Sequence, residues 1–136
     1  MKIIVDTSIL IDFSRKRKIE KEEILWPKLV GFAGRRGHQL ITPAVALFEL
    51  FAGEEMNKPV NCEKMENILN DVVVLDLTKE VAQKAASLFR KYKVNIGPID
   101  YLLAATTLVL EGELVTFNPK HFKVFKDLPL FDLSKL

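Results

Sequence analysis

The chain has 136 residues, 49% of them hydrophobic and 28% charged, with a net charge of +2. That length holds one domain of ordinary size and excludes a second, and the composition is that of a globular chain able to bury a core. A charge so small excludes any argument from bulk electrostatics to a partner, and one cysteine, Cys62, excludes an internal disulfide and suits a reducing compartment.

In chain order, the β-branched run Ile3, Ile4 and Val5 predicts a buried strand over residues 2–5. Residues 8–13 read as a short helix, and residues 20–34 carry apolar side chains at helical spacing, with Pro27 as a break or restart. A second strand covers 39–42. Pro43 suits a first helical turn and Gly53 a stop, which predicts one helix over 43–52. A helix over 61–70 leads to a buried strand over 72–77, and Thr78 can cap a long amphipathic helix over 79–92. After Gly97-Pro98 a helix runs over 99–110 and ends at Gly112. A fourth strand over 113–116, a helical turn over 119–122 and an edge strand over 130–133 complete the chain. No apolar run reaches the ~18 residues of a membrane span, and the first residues enter a strand directly, so the expected setting is cytoplasmic, away from membranes.

Strands separated by helical crossovers predict an α/β fold over residues 1–136, a central, mostly parallel sheet flanked by helices. The carboxyl ends of parallel strands share one edge, and ligands bind there. Strand-end acids are therefore the residues to inventory.

Three acids sit where the apolar pattern does not want them. Asp6 ends the first strand and is followed by two hydroxyls, Thr7 and Ser8; it can cap the next helix or face a ligand. Glu49 interrupts an apolar run, Val45 to Ala52, that predicts a largely buried helix, where a lone carboxylate needs a partner or a cation. Asp100 opens a strongly apolar helix, where the helix dipole also favours an acid. Two such charges ~4 Å apart repel by roughly 4 kcal/mol at an effective dielectric of ~20, so a cluster of three requires a counter-ion. An all-oxygen set suits Mg²⁺ or Mn²⁺ rather than Zn²⁺, and the matching chemistry is phosphodiester hydrolysis. His38 and His121 read as surface or locally hydrogen-bonded residues, Asp12 as exposed or paired, and Tyr101 as a buried aromatic.

Arg15, Lys16, Arg17 and Lys18 form one basic cluster and Arg35-Arg36 another. A charge run is usually a solvated face, and it is also the common footprint of phosphate contact.

Three stretches, IIVDTSILIDF, TPAVALFELFAG and IGPIDYLLAATTLVLEGELVTFNPKHF, resemble in order and spacing the PIN-domain ribonucleases, and among them the VapC-type toxins. The resemblance implies a parallel sheet flanked by helices, metal-dependent endonuclease cleavage of RNA, a homodimer and a small inhibitory antitoxin. It implies that Asp6, Glu49 and Asp100 are the catalytic and metal-binding acids. Many members carry a further acid after the last motif strand, where this chain supplies only Thr116 and Asn118. One tightly held ion is therefore expected, with a second arriving with substrate, and Thr7 and Ser8 either orient Asp6 or a water or cap the helix. Phe13, Trp26, Phe32, Phe48 and Phe51 are candidates for a partner-facing surface, against a core role for most of them. Two other readings stand beside the nuclease. One is a phospho-accepting receiver domain using Asp6, Asp76 and Lys120, and the other is a catalytically silent RNA- or protein-binding module.

Overall fold

Ile3, Ile4 and Val5 have no exposed surface, because their strand lies inside the sheet with neighbours on both sides. The structure is a computed structural model that describes residues 1–15 and 25–136. Its four strands are β1 (Lys2–Val5), β2 (Gln39–Pro43), β3 (Val73–Leu75) and β4 (Glu113–Val115), ordered β3-β2-β1-β4 and parallel at every pairing. In register, Ile4 lies beside Ile41 on one side and Leu114 on the other. Parallel neighbours require crossover connections, and helices supply them.

Successive strand residues point to opposite faces, so Ile3 and Val5 enter one core and Ile4 the other. The Ile3 face is covered by α1 (Thr7–Arg15), α2 (Leu25–Arg36), α3 (Leu47–Phe51) and α4 (Pro59–Leu69), through Leu10, Leu29, Leu50 and Met65. The Ile4 face is covered by α5 (Lys79–Tyr92), α6 (Pro98–Val109) and α7 (Pro119–Phe122), through Leu88, Leu103 and Phe122. Thr78 caps α5, its hydroxyl accepting from the Val81 N–H at 3.2 Å. Among the described residues no helix is long and apolar enough to cross a membrane.

Several boundaries depart from the sequence expectation. Pro43 does not begin a helix; it is extended at φ −70° and ψ 142° and closes β2 opposite Leu75. The predicted single helix over 43–52 is a 3₁₀ turn, Ala44–Ala46, followed by the five-residue α3. Pro27, expected as a break or restart, lies in the first turn of α2 as a restart would, where a missing N–H loses no partner. The strand predicted as buried over 72–77 shortens to β3 at the sheet edge, leaving Val73 44% and Val74 38% exposed. The edge strand expected over 130–133 reduces to one bridge between Leu114 and Leu130, since Asp132 caps a 3₁₀ turn, Leu133–Lys135, that takes the chain out of extended conformation. Lys16, Arg17, Lys18 and the start of the helix predicted over 20–34 lie outside the described residues.

Gly112 sets the approach of β4 to β1. A Cβ there would lie 2.5 Å from the Lys2 carbonyl oxygen and 2.6 Å from Ile4 Cδ1, so only glycine fits without moving a central strand. Gly112→Ala is expected to lower unfolding stability by ~1–3 kcal/mol, as overpacking does. Urea denaturation measures it, and an unchanged midpoint would contradict this account of the β1–β4 contact.

Candidate active site

The parallel sheet brings the carboxyl end of every strand to one edge, and β1 ends there on Asp6. The Asp6 N–H donates to the Val115 carbonyl at 3.0 Å, extending the β1–β4 ladder by a residue, and its own carbonyl accepts from the Ile9 N–H at 3.1 Å, opening α1. Its backbone is thus held by a strand on one side and a helix on the other. The Asp6 side chain, 4% exposed, accepts from hydroxyls: Thr116 Oγ1 at 2.6 Å and Ser8 Oγ at 3.0 Å on Oδ2, and Thr7 Oγ1 at 3.3 Å on Oδ1.

Those hydroxyls are themselves aimed. Thr116 Oγ1 accepts from the Asn118 N–H at 2.9 Å and Ser8 Oγ from the Phe117 N–H at 3.3 Å, so each oxygen has its hydrogen left for Asp6 Oδ2. Thr7 has one hydrogen and two acceptors; Glu49 Oε2 at 2.9 Å is nearer than Asp6 Oδ1 at 3.3 Å. Oδ1 is therefore the more open oxygen of Asp6. Thr42 was not singled out by its sequence context, yet its buried hydroxyl donates to the Val5 carbonyl at 3.2 Å and braces the strand end that presents Asp6.

Glu49 is not buried as its apolar context predicts. It is exposed on the outer side of α3, because so short a helix turns only Leu50 fully inward and leaves Leu47 and Phe51 half-covered. Its carboxylate is held at the edge by Thr7. Asp100 lies in the first turn of α6, whose start Gly97 and Pro98 define. Burial pushes the Asp100 carboxyl above its usual range, the Asp6 and Glu49 charges push the same way, and His121 opposes them. The three acids thus act on one another across a common edge. His121, expected as a surface or locally hydrogen-bonded residue, is exposed and lies beside them, with Nδ1 3.6 Å from Asp100 Oδ2. Its position just beyond the fourth strand, which ends at the same edge, is the one sequence signal for that placement.

Other expectations fall elsewhere. Arg35 and Arg36 end α2 immediately before β2 begins, which puts them at the amino edge, opposite the acids; Arg36 lies 4.6 Å over the Phe32 ring. Arg15 closes α1 and pairs with Glu55 at 3.7 Å on the surface. Asn118 is exposed and enters through its backbone N–H. Tyr101 is buried and donates to the Val94 carbonyl at 2.7 Å. Trp26 and Phe32 are core residues, while Phe48 is exposed. Asp76 follows the edge strand, separated from β1 by β2, so the receiver arrangement does not form.

Among the described residues no three Asp, Glu, His or Cys side chains close around one point as a complete metal cage. Mg²⁺ does not need one, since it commonly keeps several waters and takes one or two carboxylates. The carboxylate oxygens at this edge, with one open oxygen on Asp6 and an Asp100 raised by burial and then by its neighbours' charge, fit a hydrated hard cation rather than a closed thiolate or imidazole site, and the His121 imidazole lies against Asp100.

Four parallel strands with acids gathered at the carboxyl edge define an α/β domain with an acidic strand-end cleft. The chain belongs to the PIN-domain family, whose model matches residues 3–128. It is similar to Ribonuclease VapC19 of Mycobacterium tuberculosis, 29% identical over 128 residues that cover 92% of this chain and 95% of that one. It is also similar to Ribonuclease VapC1 of Methanocaldococcus jannaschii, 27% identical over 138 residues covering 95% and 85%. In fold it matches a chain of the VapBC2 complex of Rickettsia felis bound to a promoter DNA fragment, with TM-score 0.78, 18% identity and coverage of 96% and 98%.

Two consequences of this geometry are measurable. Because the Asp100 pKa is raised on folding, by burial first and by the Asp6 and Glu49 charges second, the ionised carboxylate destabilises the fold fully above the folded value, and this penalty fades below the usual 3.8. Asp100→Asn is therefore expected to raise Tm in chelator at neutral pH by about 3 °C, with the gap closing under acid. A lower Tm for the variant at pH 7 would contradict the penalty. Thr116→Val removes a charge-assisted hydrogen bond and leaves the Asn118 N–H without its acceptor, at an expected cost of ~1.5–3 kcal/mol. Thr116→Ser should recover most of it in the same denaturation series, and equal losses for both would show that packing, not the hydroxyl, is responsible.

Proposed function

We propose that this protein is a metal-dependent endoribonuclease, the toxin of a toxin–antitoxin pair, acting as a homodimer on RNA in the cytoplasm. The observation that carries the reading is the hydroxyl-braced Asp6 with Asp100 and Glu49 coupled to it at one sheet edge. The names of the relatives, ribonucleases, and the VapBC complex among the structural neighbours support it.

In this reading Asp6 and Asp100 hold Mg²⁺ or Mn²⁺, and Glu49 completes the site from α3. The cation supplies Lewis acidity and charge neutralisation at a phosphodiester. Asp6 contributes its open Oδ1, since Oδ2 is already occupied by Ser8 and Thr116. Glu49, exposed and tethered by Thr7, is placed to orient an attacking water and accept its proton. Asn118 is neutral, so one firmly held ion is expected, with a second arriving with the substrate.

The test is incubation with RNA in Mn²⁺ or Mg²⁺, with a chelator control. Wild-type protein should cleave only with metal, and Asp6→Asn, Asp100→Asn and Glu49→Gln should each lower the rate at least ~100-fold. Metal-independent cleavage, or variants as active as wild type, would overturn the reading.

A further inference from the structure

The acids do not explain what grips the nucleic acid, because Arg35 and Arg36 lie at the opposite edge and Arg15 is paired with Glu55. Two exposed aromatic residues are chain neighbours of residues in the site. Phe48, next to Glu49 on the outer side of α3, is 74% exposed, the highest among the exposed large hydrophobics of the described residues. Phe117, 43% exposed, follows Thr116, and its own N–H is bonded to Ser8 Oγ at 3.3 Å, so its backbone belongs to the network that holds Asp6. Leaving two rings in water forgoes the stabilisation that burial would bring.

The cations are just beyond. In α7 the side chain of Phe122 is 1% exposed and pins the turn to the core, while Lys120, His121 and Lys123 stay outside. His121 reaches to 3.6 Å from Asp100, so this outward row adjoins the acids. Charged groups interrupt the apolar surface here: Glu49 beside Phe48, and Lys120 shortly after Phe117. An apolar protein partner is served by a contiguous patch. Isolated rings alternating with charge instead match a strand that carries bases and phosphates in alternation.

We propose that Phe48 and Phe117 are base-stacking residues for a single-stranded RNA, and that Lys120 contacts its phosphates. The proposal rests on the nuclease reading and adds by which side chains the RNA is held. A ring can stack only on a base whose face is free, as in a loop or an unpaired end, whereas an A-form duplex keeps its bases stacked inside. Stacking is sequence-tolerant, because every base has a π-face, so these rings select strandedness and leave sequence choice to other contacts.

The experiment uses full-length Asp100→Asn protein in Mg²⁺, which keeps the RNA intact, and a fluorescent single-stranded 12-mer carrying 2-aminopurine, beside its blunt duplex. The single strand is expected to bind more tightly than the duplex and to quench 2-aminopurine on binding. Adding Phe117→Ala or Phe48→Ala should weaken binding at least about fivefold and relieve the quenching, with Phe117→Tyr retaining both. Lys120→Ala should lower the slope of log Kd against log salt by about 0.7, one phosphate contact. Equal affinity of the phenylalanine variants and parent, equal binding of duplex and single strand, or a change in oligomeric mass for Phe48→Ala with RNA affinity intact would each overturn the proposal. If Phe48→Ala and Phe117→Ala also cleave like wild type in the Asp100 background, this proposal fails while the nuclease reading stands. Stacking without metal-dependent cleavage by wild type would remove the nuclease reading and keep the RNA surface.

Discussion

A carboxylate at the end of the central strand, held by the hydroxyls of Thr7, Ser8 and Thr116, is the constraint around which the molecule is arranged. Asp6 cannot move without disturbing both the β1–β4 ladder and the start of α1, because its N–H and carbonyl belong to one and the other. Its charge is nearly out of water, which is tolerable only when hydrogen bonds satisfy it. Thr116 and Ser8 do so from β4's end and from α1, and each is in turn bonded to a backbone N–H of residues 117 and 118. The post-β4 segment is therefore both a brace for Asp6 and the platform on which Phe117 and α7 are presented.

The same edge works against stability. Asp100 is half-buried beside two like charges; burial first and their repulsion second raise its pKa, with His121 as partial compensation. Among the described residues, lysines follow the site where α7 turns outward, and the arginines of α2 lie at the far edge.

Much of the fold was legible because it is carried by short-range pattern. The β-branched run of β1, the Thr78 cap and amphipathic face of α5, and the Gly97-Pro98 start of α6 each specify local structure without reference to the rest of the chain. The misreadings share a cause. Pro43 reads as a helix start until its pairing opposite Leu75 makes it a strand end, and Val73 and Val74 read as buried until β3 is found at the sheet edge. Glu49 was singled out on a mistaken premise: apolar neighbours imply burial only for a helix long enough to be surrounded, and α3 has five residues.

By itself the sequence determined the α/β class, the parallel strands and the acids to examine, since periodicity and residues misplaced in it are local properties. Only the tertiary structure decided which side chains share an edge. It paired His121 with Asp100 across 21 positions and Thr116 with Asp6 across 110, and sent Arg35 and Arg36 to the opposite side. Those outcomes depend on strand order and on which end of each helix meets the sheet. Spacing along the chain cannot encode them, because a parallel sheet gathers residues by the end of the strand they follow.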